Sequence, residues 1–178
     1  TKRDPWGEFK TVMSGDNKSP NADSKKRLSL GSRGGKPPAD KNQILVDGVI
    51  FDNGARNGFV DEAALKITRK FMPKTKTNIA PDSPGLSIDA PAGCEVTVIN
   101  CVVMNCAPHH KSGALQVWGG VGTKITVRNN LIINNTGSGI CCFSYTHPKD
   151  GKDLPEFLVE NNSILFTWPY DAMASDCG

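Results

Sequence analysis

The apolar positions of this chain recur in a pattern that neither a helix nor a long strand produces. Four stretches align without gaps: Val46-Asp47-Gly48-Val49-Ile50-Phe51-Asp52-Asn53, Val98-Ile99-Asn100-Cys101-Val102-Val103-Met104-Asn105, Val127-Arg128-Asn129-Asn130-Leu131-Ile132-Ile133-Asn134 and Val159-Glu160-Asn161-Asn162-Ser163-Ile164-Leu165-Phe166. Each starts with Val and carries an apolar residue (Phe51, Val103, Ile132, Ile164) in sixth place, with a small or polar pair between. A second ladder follows them: Gly85-Leu86-Ser87-Ile88, Ala114-Leu115-Gln116-Val117, Gly139-Ile140-Cys141-Cys142 and, more weakly, Ala172-Met173-Ala174-Ser175. Starts of the first ladder lie 52, 29 and 32 residues apart, and those of the second 29, 25 and 33. The spacing of 52 contains one insertion, residues 55–84. Short strands that return with such a period cannot bury their own apolar side chains, so successive turns must stack and share a core. The expected fold class is all-β, a solenoid of about four to five turns.

Alternation within the strands gives the facing. Val98, Val103, Leu115 and Val117 are expected inward, and Ile99 and Gln116 outward. Asn53, Asn105 and Asn134 fall at one corner of successive turns, and Asn130 and Asn162 at another, where Cys101 replaces an Asn. Stacked Asn side chains hydrogen-bond along such a stack and satisfy bent backbone. Glu95, Lys124 and Glu156 share one outward position, and Arg128 and Glu160 another, so opposite charges neighbour each other.

Two segments interrupt the pattern. In the insertion 55–84, Val60, Ala64, Ile67 and Phe71 share one helical face, and Pro73 would stop that helix. Such a helix would cover the outward stripe Met104, Ile133 and Leu165, or act as a lid. Residues 1–43 are expected to hold an N-terminal strand and a basic Gly/Pro-rich loop, with residues 44–178 carrying the turns. The first part has ten Lys/Arg against five Asp/Glu, the second eleven against thirteen. The basic stretch Ser19–Asp40 reads as a solvated loop, with a polyanion-contacting loop as the alternative.

Composition narrows the class. With 38% hydrophobic and 22% charged residues, the 178-residue chain is ordinary globular material. No run approaches the roughly 18 apolar residues of a membrane span. A net charge of +3 is too small to argue for a nucleic-acid partner. The six Cys form no CxxC pair and match no zinc spacing, so they read mostly as core or free thiols.

Val127–Asn135 followed by Gly137–Ile140 resembles the repeat of right-handed parallel β-helix proteins of the pectate-lyase-like kind. Arg3-Asp4-Pro5-Trp6 with Thr11–Asp16 resembles the segment that often precedes such turns in secreted bacterial members. The resemblance covers most of residues 1–16 and 44–176, and implies a piece of a longer β-helix. It implies a secreted, periplasmic or cell-surface location and polysaccharide as partner, together with further β-helix turns from the same polypeptide or another chain. The family includes polysaccharide lyases, glycoside hydrolases, epimerases, adhesins and phage tailspikes, so fold alone does not choose the activity. A non-catalytic structural, adhesive or assembly-forming protein is the alternative.

Polyuronate lyases and epimerases need a cation for the substrate carboxylate, a base for the C5 proton and an acid for the leaving oxygen. In β-helix enzymes the base is often Lys, Arg or His, and calcium held by Asp or Glu serves some of them as the cation, which makes calcium the candidate cofactor. Glycoside hydrolases of this fold use paired carboxylates instead. The loop residues His109, His110, Lys111, His147, Lys149 and Asp150 are the catalytic candidates. Trp118, Arg128, Tyr145, Trp168 and Tyr170 are the substrate-binding candidates, because aromatic faces stack on the apolar faces of sugars. Phe143 shares the outward position of Trp118 one turn on. A metal site would need His109, His110 and His147 to converge with Asp150 or Asp171, and no metal ligands are assigned. The epimerase Asp-Pro-His-Glu motif is absent, as is the paired-Asp signature of polygalacturonases.

Overall fold

The computed structural model describes residues 11–14, 28–31, 43–52, 84–106, 113–136, 138–145 and 151–168. In chain order its strands are β1 (Thr11–Ser14), β2 (Leu28–Gly31), β3 (Gln43–Asp47), β4 (Val49–Asp52), β5 (Leu86–Ala90), β6 (Glu95–Ile99) and β7 (Val102–Met104). They continue with β8 (Gly113–Gly119), β9 (Lys124–Arg128), β10 (Leu131–Thr136), β11 (Ser138–Ser144), β12 (Glu156–Glu160) and β13 (Ser163–Trp168). No helix occurs among the described residues, and the helix expected within 55–84 lies outside them.

The strands form three sheets, all paired in parallel. Sheet A runs β1-β4-β7-β10-β13, sheet B β2-β5-β8-β11 and sheet C β3-β6-β9-β12. Along the described strands the chain therefore visits A, B and C in strict rotation. Parallel neighbours need a crossover, and here the crossover is the visit to the other two sheets. Each eight-residue stretch of the first ladder is two strands, one in sheet C and one in sheet A, bent at a corner. The registers match the apolar pattern. Phe51, Val103, Ile132 and Ile164 form one row of sheet A, and Leu86, Leu115 and Ile140 one row of sheet B.

One core lies between the sheets. It joins Phe51, Val103 and Ile132 from sheet A, Leu86, Ile88, Leu115 and Val117 from sheet B, and Val96, Val98, Ile125 and Val127 from sheet C. Strands buried on one face and stacked in register place every second side chain there, so the core is continuous along the stack.

The corners depend on left-handed backbone. Between sheets C and A the column is Gly48, Asn100, Asn129 and Asn161, with φ of 67°, 55°, 56° and 53°. Between sheets A and B it is Asn105, Asn134 and Phe166, at 56°, 54° and 51°. Asn enters this region far more readily than other side chains because its short amide bonds locally. A bulky Phe there is an outlier.

After the left-handed positions Asn129 and Asn134 comes a buried Asn that carries the ladder. Asn130 Oδ1 accepts the Cys101 amide at 2.9 Å, and Asn130 Nδ2 donates to the Val98 carbonyl at 3.1 Å. Asn162 Oδ1 in turn accepts from the Asn130 amide at 3.0 Å. The second corner repeats this arrangement: Asn135 Oδ1 accepts the Cys106 amide at 2.8 Å and its Nδ2 donates to Val103 at 3.1 Å. Outside, Asn134 Nδ2 donates to Asn105 Oδ1 at 2.7 Å, and Asn105 Nδ2 to Asp52 Oδ1 at 2.8 Å.

One expectation needs correction. Within Ser19–Asp40, expected as loop, Leu28–Gly31 is a strand that pairs with β5 and seats Leu28 beside Leu86 and Leu30 beside Ile88. Its alternation spans only three residues, too short to stand out among Gly, Pro and Lys. Gln116 keeps the outward position expected of it and is nevertheless covered, only 3% exposed, with its Nε2 donating to Ser87 Oγ at 2.8 Å.

Candidate functional site

Sheet B builds the aromatic part of the site. Strands β8 and β11 place Trp118 and Phe143 in one register row, as their shared outward position predicts. Parallel in-register pairing puts equivalent side chains one above the other. The two rings stack with centroids 4.2 Å apart and planes 20° from parallel. Both side chains are half-buried. Asp89 continues the row on β5.

Two residues before Trp118 on the same face lies Gln116. Its Oε1 is buried and has no hydrogen-bond partner. A buried acceptor left unpaired costs roughly 1–3 kcal/mol, so its presence beside an aromatic pair is chemically notable. No pattern in the sequence signals it, because a polar residue at an outward strand position ordinarily means solvent.

Tyr145 follows β11. Its hydroxyl donates to the Ala90 carbonyl at 2.6 Å. A side-chain carbon on Gly120 would sit 2.7 Å from that hydroxyl oxygen, so the glycine permits the approach. Tyr145 is thereby fixed at the corner next to the Trp118–Phe143 pair.

Arg128 stands elsewhere. It lies on the outward face of sheet C in the row Asp47, Ile99, Arg128, Glu160, and its Nη1 is 3.6 Å from Glu160 Oε1. The charged row Glu95, Lys124, Glu156 runs beside it. Trp118 and Arg128 are thus on different sheets. Trp168 ends β13 opposite Thr136. His109, His110, Lys111, His147, Lys149, Asp150 and Tyr170 lie outside the described residues.

The thiols are placed for packing. Cys142 faces inward beside Val117, which neighbours Ile88. Burial pushes its pKa up to about 11, helped by the neighbouring Cys141. Burial also raises Cys94, with Glu95 adding to it. Cys101 is raised mainly by burial as well. A thiol held protonated is a poor nucleophile and a poor metal ligand. Among the described residues no group of three His, Cys, Asp or Glu is placed to hold a metal ion, and no helix is long and apolar enough to cross a membrane.

Two concavities lie at the β12–β13 end. One, of about 460 Å³, is lined by Ile140, Cys142, Val159, Glu160, Asn162 and Ile164 among others. It draws inward residues from all three sheets. The other, of about 510 Å³, is a corner lined by Lys124, Asp153 and Glu156 with their neighbours. Neither includes Trp118, Arg128 or Tyr145. No family model matches the chain, and neither a curated protein nor a solved structure is significantly similar to it.

Proposed function

We propose that the rotating strands are turns of a right-handed parallel β-helix of the pectate-lyase-like kind, and that the protein acts outside the cytoplasm on polysaccharide, which it binds across the outward face of sheet B. The observation that carries this reading is the stacked Trp118–Phe143 pair. Each ring covers one face of the other, and the apolar faces and edges they leave are surface on which the C–H faces of a sugar ring stack. Apolar walls with a few convergent polar groups are the usual makeup of a ligand site. Asp89 supplies a polar group in the same row. Lyase or hydrolase chemistry rests on the loop candidates His109, His110, Lys111, His147, Lys149 and Asp150, with calcium as the candidate ion.

The test is affinity electrophoresis against neutral and uronate polysaccharides, followed by assay for chain cleavage. Retardation by a glycan that Trp118→Ala abolishes supports the reading. Equal retardation of the wild type and of Trp118→Ala, or none with any glycan, overturns it.

A further inference from the structure

The row Asp89, Trp118, Phe143 crosses the outward face of sheet B on strands β5, β8 and β11, and β8 lies between the other two. Phe143 covers one face of Trp118, with centroids 4.2 Å apart and planes 20° from parallel. The face of Trp118 that Phe143 leaves therefore turns toward β5, where Asp89 holds the same register place. Trp118 and Asp89 are both half-buried, so salt screens a charge there less than on an open surface.

The charge on this face has one sign. Among the described residues, the strands Leu28–Gly31, Leu86–Ala90, Gly113–Gly119 and Ser138–Ser144 hold one carboxylate, Asp89, and no Lys, Arg or His. Lys124 and Arg128, the basic residues of β9, stand on sheet C. An aromatic ring is negative over its face. Trp118 and Asp89 thus favour the same kind of group, a cation.

We propose that this row takes a glycan built of amino sugars, with a sugar ring against the aromatic pair and its ammonium beside Asp89 and the open face of Trp118. The proposal deepens polysaccharide binding at sheet B and rests on it.

The chemistry of the ring chooses this class over the others. A neutral sugar would stack on the pair and leave the charge unused. A uronate would bring a second carboxylate beside Asp89, and like charges in a partly buried place repel. An inorganic cation lacks the C–H face, and among the described residues no group of three His, Cys, Asp or Glu is placed to hold one. An amino sugar has both parts, the C–H face and the ammonium.

The probes are oligomers of glucosamine, of N-acetylglucosamine and of galacturonic acid, all of equal length. The first two share a backbone and differ in the charge of the nitrogen. Each is titrated into the full chain by calorimetry at mildly acidic pH, where the amines carry their protons. The expected order is glucosamine tightest, N-acetylglucosamine about tenfold weaker, and galacturonate weaker again. Added salt should narrow the gap. Trp118→Ala is expected to lose glucosamine binding. Asp89→Asn keeps the shape of the side chain, and should bind the first two oligomers within about twofold of each other. Its unfolding midpoint checks that it folds, and the wild-type comparison alone decides the matter if it does not.

Equal or tighter binding of N-acetylglucosamine or galacturonate by the wild type overturns the proposal. If Trp118→Ala abolishes that binding, polysaccharide binding at sheet B still stands. A glucosamine preference that survives Asp89→Asn also overturns it, because the charge then lies elsewhere, as in the Glu95 and Glu156 row of sheet C. Binding of none of the three overturns it too, and a glycan retarded in electrophoresis would then still support the wider function.

Discussion

Asn130 holds Cys101 from the turn below it: its Oδ1 accepts the Cys101 amide at 2.9 Å, while its Nδ2 donates to Val98 at 3.1 Å and to Asn162 Oδ1 at 2.9 Å. One side chain, 2% exposed, thereby joins three successive strand levels at the corner between sheets C and A. Asn130→Ala strands the Cys101 amide and the Val98 carbonyl inside the protein. Each such group costs about 1–3 kcal/mol, so the urea midpoint should fall by the equivalent of about 2–6 kcal/mol. An unchanged midpoint would mean that the ladder is decorative.

Phe166 occupies a corner position held by Asn105 and Asn134 on earlier turns, at φ 51° and with 68% of its surface exposed. Left-handed backbone costs a side chain with a Cβ roughly 1–2 kcal/mol, and Asn less. Phe166→Asn should therefore raise stability by about 1 kcal/mol and lower hydrophobic-dye binding. A loss of stability would show that Phe166 is packed against a partner or another part of the chain.

Core position and end position should respond differently to truncation. Ile132 is fully buried and Ile164, its neighbour in the same row, is 46% exposed. Ile132→Ala is expected to cost about 2–5 kcal/mol, and Ile164→Ala less than half as much, by denaturant titration. Equal losses would mean that Ile164 is covered in solution.

The raised thiol of Cys142 sets an alkaline window. Its pKa rises from an ordinary 9.0 to about 11 on folding because burial disfavours the thiolate. Below pH about 9 both folded and unfolded chains keep the proton and the contribution is complete. Between about 9 and 11 only the unfolded chain loses it, so stability declines. The decline attributable to this thiol should be on the order of 1–2 kcal/mol. Comparing urea midpoints at pH 8 and pH 10.5 for wild type and Cys142→Ala checks it: the variant should lose less.

Arg128 and Glu160 are the reverse case. Their side chains are 46% and 40% exposed, and an ion pair in water contributes roughly 0–1 kcal/mol and weakens with salt. Arg128→Ala should shift the midpoint by less than about 0.5 kcal/mol. A loss of glycan binding in this variant would extend the candidate site from sheet B to sheet C.

The rows of the parallel sheets were legible because they rest on a repeat. Val103, Ile132 and Ile164 recur at fixed places, and stacking in register turns equal places into neighbours. The Arg128–Glu160 pair and the Trp118–Phe143 pair follow from the same rule. The site was less legible. Nothing in the sequence shows that the Tyr145 hydroxyl reaches Ala90, 55 residues earlier, since that contact depends on how three turns sit at one corner. Nor does it show that Gln116 is buried, because burial of an outward strand position depends on what packs over it.

The sequence by itself determined the strand class, the inward rows and the corner asparagines. These follow from local alternation and from a period, both of which are properties of residue order. Tertiary structure alone decided that three sheets share the core, that Leu28–Gly31 joins them, and that Arg128 lies on a different sheet from Trp118. The physical reason is that a left-handed corner is held by hydrogen bonds to residues about 30 positions away, as the corner at Asn129 is through its neighbour Asn130, which accepts from Cys101, 29 residues before Asn130. Such bonds exist only once neighbouring parallel strands have paired.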